Sequence, residues 1–167
     1  LTVFLVHGAV LVALKTVGDI RERTHDLAQK VGLVAAALAV VFIVWTGVEH
    51  GELAVWLLGA VAAVAFVAGL VASRAGRDGW AFLGTAIAIA LVVAMLFVAL
   101  FPDVLPSTTD PLYSLTTTNA SSTPYTLRIM TWVAVVFTPI VLMYQAWSYW
   151  VFRKRIGVHH MPDPASH

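Results

Sequence analysis

FPDVLPSTTDPLYSLTTTNASSTPYTLRIMTWVAVVFTPIVLMYQAWSYWVFRKR, residues 101–155, decides the architecture. A polar stretch rich in Ser and Thr carries no basic residue until Arg128. It then runs into an apolar segment rich in Trp and Tyr, which stops at Arg153, Lys154 and Arg155. About 20 apolar residues cross the hydrocarbon core of a bilayer, and Lys and Arg collect at the cytoplasmic end of such a segment. The stretch therefore reads as an extracytoplasmic loop, 102–125, followed by a spanning helix that ends in the cytoplasm.

Composition extends this reading to the rest of the chain. Of 167 residues, 60% are hydrophobic and only 11% charged, far from the balance of a soluble domain. The net charge of +1 gives no electrostatic footprint for a nucleic-acid partner. Cysteine is absent, which excludes disulfides and thiolate-held metal or iron–sulfur sites within these residues. The opening LTVFLVHGAV is apolar, with neither the basic start nor the cleavage site of a signal peptide, and is expected to be part of a truncated membrane helix over residues 1–15.

Five apolar segments follow one another: Leu1–Leu14, Leu27–Val48, Leu53–Ala72, Trp80–Phe101 and Thr126–Phe152. The expected fold is all-α, a polytopic transmembrane bundle with its main body over residues 16–158 and a cytoplasmic tail at 159–167. In the last segment Thr123 suits an N-cap and Pro124 the first helical turn. Pro139 cannot donate to the helix ladder and predicts a kink, tolerated where neighbouring helices cover the freed carbonyl.

Basic residues fix the topology. Lys15, Arg21, Arg23 and Lys30 follow the first segment, Arg74 and Arg77 the third, and the basic triplet the fifth. The alternate connections carry Glu49 and Glu52, then Asp103 and Asp110, with Arg128 just inside the following helix. The C-terminus is accordingly cytoplasmic and residue 1 faces outward. Trp45 and Trp56 fall at outer helix ends and Trp80, Trp147 and Trp150 at inner ends, where interfacial belts form. Gly32/Ala36, Gly59/Ala63 and Gly84/Ala88 are small pairs four apart that permit close helix approach, though they single out no interface.

Haem chemistry needs inward-facing axial ligands, and His7 is the one histidine within an expected span. It reads as a hydrogen-bonded helix histidine. Met95, Met130 and Met143 read as packing. No HExxH, paired-histidine or acidic metal cluster occurs. Ion-coupled transport would place charges in mid-span, and apart from His7 the span interiors hold no titratable group. Asn119-Ala120-Ser121 fits a glycosylation sequon of a length that chance supplies.

Three stretches carry a family resemblance. The run PSTTDPLYSLTTTNASSTPYTLRIMTWVAVVFTPIVLMYQAWSYW is similar to the C-terminal end of subunit II of cytochrome bd quinol oxidase. HGAVLVALKTVGDIRERT, residues 7–24, resembles that subunit's fourth helix and its cytoplasmic exit, and GWAFLGTAIAIA, residues 79–90, resembles the start of its seventh. The tight turn Val48–Leu53 departs from relatives that carry a long insertion there.

The resemblance implies a haem-free subunit of a terminal quinol oxidase of the bacterial cytoplasmic membrane. Subunit I, its partner in a heterodimer, would hold the b and d haems, oxidise quinol and reduce dioxygen to water, building proton motive force without pumping. Proton and oxygen routes would belong to an N-terminal half beyond these residues. The implied partners are subunit I, membrane lipid and quinone, and small accessory subunits. A quinone held as a structural lipid would be lined by Trp132. Arg over Lys, with abundant Ala and Val, points to a GC-rich genome and menaquinone. The bottom-up reading adds a scaffold role, with the Pro-restricted loop 102–125 as a cap on the complex. The alternatives are half of a membrane transporter or the anchor subunit of another respiratory complex.

Overall fold

A computed structural model of the chain describes residues 1–154. Arg155 and the expected tail 159–167 lie outside the described residues. The all-α expectation holds. Five helices, α1 (Thr2–Lys15), α2 (Asp19–His50), α3 (Leu53–Arg74), α4 (Asp78–Leu100) and α5 (Pro124–Val151), account for most of the described residues. All but α1 are long and apolar enough to cross a membrane. The described residues form two compact units, Leu1–Ala99 and Leu100–Lys154.

α2 starts at Asp19, well upstream of the apolar boundary at Leu27. Hydropathy marks the part of a helix that lies in lipid and is blind to a polar extension. That extension carries its own support: Arg23 pairs with Asp19 at 2.9 Å and Lys30 with Asp26 at 2.7 Å, each one helical turn apart. Asp19 and Glu22 also complement the positive end of the helix dipole. At the other end Gly51 adopts φ +62°, and its N–H caps Gly47 O. Only glycine takes that left-handed turn without cost, which allows α3 to reverse at once.

In lipid, apolar burial drives helices together far less than in water, so close van der Waals fit decides their pairing. The first unit is built that way. One core cluster joins Val6 and Val10 of α1, Ala28 and Ala35 of α2, Phe66 and Leu70 of α3 and Ala81 and Ala88 of α4. A second gathers Ile43, Val55, Met95 and Ala99 toward the opposite helix ends. The glycines of the small pairs sit where helices cross. A methyl at Gly32 would meet the Leu70 side chain, and one at Gly59 would meet Ile43.

The closest approach of one glycine to another helix's backbone pairs Gly84 with Gly69, which sequence reasoning passed over. A Cβ on Gly84 of α4 would stand 2.8 Å from Gly69 Cα and 2.9 Å from Ala65 O, both backbone atoms of α3. Only bare backbone fits there.

In the second unit, two short antiparallel strands, β1 (Asp103–Leu105) and β2 (Leu115–Thr116), pair across a loop with one 3₁₀ turn at Pro111–Tyr113. Side chains complete it. Ser114 Oγ accepts from Ser107 N at 3.0 Å, Asp110 Oδ1 from Leu112 N at 2.9 Å, and Asn119 bridges Thr116 N to Ser114 O. α5 begins as expected: Thr123 Oγ1 accepts from Thr126 N, with Pro124 in the first turn. The helix continues through Pro139 to Val151.

Candidate functional site

Two polar constellations stand out in the first unit. The first lies among apolar side chains. His7 Nδ1 is 2.7 Å from Thr85 Oγ1, and its ring stacks on Phe82 with centroids 4.6 Å apart. Thr85 is fully buried, and its hydroxyl lies 3.1 Å from Ala81 O and 3.0 Å from Phe82 O. A hydroxyl has one proton, and these carbonyls can only accept. The Thr85 hydroxyl thus bridges its own helix and the His7 ring, with the histidine tautomer setting which of the two donates. The expected hydrogen-bonded histidine is present, with a side-chain partner on α4 in place of a backbone carbonyl.

Thr85 engages one ring nitrogen of His7, and Phe82 covers a ring face. His25, near the start of α2, is held by Ser73 O, and His50 closes the other end of that helix. Among the described residues no group of three or more His, Asp or Glu side chains gathers in a metal-binding arrangement. Met95 is buried in the second core cluster, while Met130 and Met143 are exposed on α5.

The second constellation clamps α2 to α3 and α4 at the Lys/Arg-rich helix ends. Arg21 places Nε at 3.1 Å and Nη2 at 2.8 Å from Asp78 Oδ2. The His25 Nε2–H donates to Ser73 O, and Arg74 Nε donates to Gln29 Oε1 at 2.6 Å. A polar hollow of about 340 Å³ opens beside them, lined by Arg21, Glu22, His25, Asp26, Gln29 and Arg74. Its mixed charge and internal pairing make it a helix clamp. Sequence reasoning counted Arg21 and Arg74 as topology markers and missed Asp78. An acid opening an apolar helix two residues before a Trp reads equally well as an N-terminal dipole partner.

An apolar cleft of about 440 Å³ lies among Phe4, Leu38, Phe42, Ile89, Val92 and Leu96. It can accept hydrocarbon and offers almost no polar contact.

Trp132, the residue singled out as a quinone contact, lies on α5 with 65% of its surface exposed. The other tryptophans divide by environment. Arg153 stacks over Trp150 at 4.5 Å and donates to its carbonyl, and Arg77 lies over Trp80 at 5.9 Å. Trp56 lies flat against Gly47, where a methyl would meet its ring at 2.6 Å. That residue packs the α2–α3 turn in addition to any interfacial role. In the loop, Asn119 of the sequon spends its amide on Ser114 O.

Comparison with known proteins gives one consistent result. The family described as cytochrome bd terminal oxidase subunit II matches residues 1–152. The chain is 35% identical over 157 residues to the cytochrome bd ubiquinol oxidase subunit 2 of Bacillus subtilis, covering 90% of this chain and 46% of that protein. It is 33% identical over 186 positions to the cytochrome bd-I ubiquinol oxidase subunit 2 of Escherichia coli K12, covering 91% and 49%. A probable cytochrome oxidase subunit 2 of Haemophilus influenzae is 31% identical, over 89% of this chain and 48% of its own length. The chain thus spans about half the length of the curated relatives it matches. The Escherichia coli alignment runs longer than the chain itself, so that relative carries extra residues within the matched span.

Proposed function

The chain belongs to the cytochrome bd terminal oxidase subunit II family, and from that membership we propose that it is the haem-free scaffold subunit of a quinol:dioxygen oxidoreductase. It pairs with a haem-bearing subunit I, in which quinol is oxidised and dioxygen reduced to water, and protons taken from the cytoplasm build proton motive force without a pump. In this reading the chain corresponds to the C-terminal half of the subunit, beginning within its fourth helix. Its C-terminus is cytoplasmic and the loop 102–125 extracytoplasmic, in keeping with the alternation of basic and acidic connections.

The observation that carries the scaffold reading is the family match over residues 1–152, beside a first unit built of close-packed apolar helices. The haems are assigned to the partner, where each would supply one-electron and dioxygen chemistry. What these residues contribute is exclusion of water: close-packed apolar helices beside a redox subunit keep its dielectric low, so fixed charges act strongly on the potentials there. Small accessory subunits and menaquinone as the electron donor belong to the same reading. So does a structural quinone touching Trp132.

The test is optical. A complex purified through this subunit should show b- and d-type haem bands in its reduced-minus-oxidised spectrum and should consume oxygen with quinol. A haem-free preparation from intact membranes would overturn the assignment.

A further inference from the structure

α5 is bracketed by two arginines that the structure treats differently. At its C-terminal end Arg153 is satisfied within the chain, stacked on Trp150 and bonded to that residue's carbonyl. At its N-terminal end Arg128 is exposed, and among the described residues it has no ion pair and no hydrogen-bond partner for its side chain. One circumstance disfavours an unmatched cation at this place: it lies in the second turn of a helix, close to the positive end of the dipole, and no acid occupies the first turn.

Its surroundings describe the counter-charge. Tyr125, Arg128 and Trp132 fall at i, i+3 and i+7, on one face of α5, and Tyr125 and Trp132 are both widely exposed. Helical side chains lean toward the N-terminus, so the guanidinium is carried away from the apolar body of α5 toward its open end. At 1.5 Å rise per residue, Arg128 and Arg153 stand about 37 Å apart along the helix. A hydrocarbon core of about 30 Å, or about 40–45 Å with headgroups, puts both at headgroup depth in opposite leaflets. Guanidinium forks match phosphate oxygens, and flanking Tyr and Trp rings favour the same boundary layer.

We propose that Arg128, flanked by Tyr125 and Trp132, binds the phosphate of a phospholipid in the leaflet opposite Arg153. The inference needs only that α5 spans the bilayer, so it stands apart from the redox assignment of the complex. The two ends of α5 then use arginine in opposite ways, one capping its own helix and one holding a lipid.

The experiment uses the assembled complex, delipidated and titrated with a short-chain phosphatidylglycerol, with bound lipid read by native mass spectrometry. Arg128→Gln should weaken the tightest lipid-binding event about tenfold, the scale of one charge-assisted hydrogen-bonded contact, while Arg128→Lys keeps most of it. Trp132→Ala should weaken it by a smaller factor and serves as the test where R128Q does not assemble. Inorganic phosphate at millimolar concentration should leave the lipid in place. Equal lipid binding by wild type and R128Q would overturn the proposal, as would displacement by inorganic phosphate, which would indicate a free-anion site. Loss of a partner subunit from R128Q with lipid binding unchanged would also overturn it, assigning Arg128 to a protein carboxylate.

Discussion

Arg21 of α2 and Asp78 at the start of α4 meet through one carboxylate oxygen, Oδ2, which accepts from both Nε and Nη2. The Asp78 side chain is 2% exposed and that of Arg21 32%. Removing Asp78 leaves the Arg21 guanidinium without this carboxylate, and removing Arg21 takes the guanidinium away from a buried acid. Because Arg21 is about one-third exposed, the cost of Arg21→Met or Asp78→Ala falls below the full buried-pair value, at about 2–3 kcal/mol. The double replacement Arg21→Met/Asp78→Leu should recover more than half of that. Unfolding of the purified complex in detergent measures all three, and a double variant as unstable as the sum of the singles would count against the clamp.

The Gly69–Gly84 crossing predicts a sharp dependence on one methyl. Gly84→Ala places a carbon 2.8 Å from backbone that has no rotamer with which to yield. α3 and α4 must part, at a cost of about 1–3 kcal/mol. Gly8→Ala is the matched control, since nothing lies within 4 Å of its added carbon, and there the gain in helix propensity should leave stability equal or slightly raised. The two thermal midpoints moving together would contradict a backbone-tight crossing.

His7 and Thr85 separate packing from cofactor chemistry. Thr85→Val leaves His7 Nδ1 without its hydrogen-bond partner in an apolar setting, a loss of about 1–3 kcal/mol. His7→Phe preserves a ring against Phe82 and leaves the Thr85 hydroxyl its backbone acceptors, so it should cost less. Both variants should retain the haem bands of the complex in full. Loss of one haem band in His7→Phe alone would reassign that histidine as a ligand.

Asn119 predicts a local effect. Its Oδ1 accepts from Thr116 N and its Nδ2 donates to Ser114 O. Asn119→Asp keeps the first bond and loses the second, while Asn119→Ala loses both. Amide exchange across residues 103–119 should quicken in that order, with exchange in α5 unchanged. Equal rates in all three proteins would show that the strand pair alone holds the loop.

Residue patterns made the scaffold of this fold legible. Thr123 and Pro124 announced the start of α5, the five apolar runs gave the five helices, and Gly32, Gly59 and Gly84 turned out to stand at crossings. What pattern could not supply was the other side of each contact. Gly84 announces a close approach without saying that Gly69 receives it, because periodicity fixes a face and leaves the neighbour open. Asp78 escaped for the same reason: its partner is 57 residues away. The upstream start of α2 escaped because hydropathy reads the bilayer and not the hydrogen-bond ladder. Trp132 became a candidate through family resemblance alone.

The separation of Arg21 and Asp78 also bears on how the protein is made. Arg21 leaves the ribosome 57 residues before the carboxylate that neutralises it. α2 and the whole of α3 are therefore synthesised while the guanidinium is still unmatched, and the clamp closes only when α4 begins to emerge.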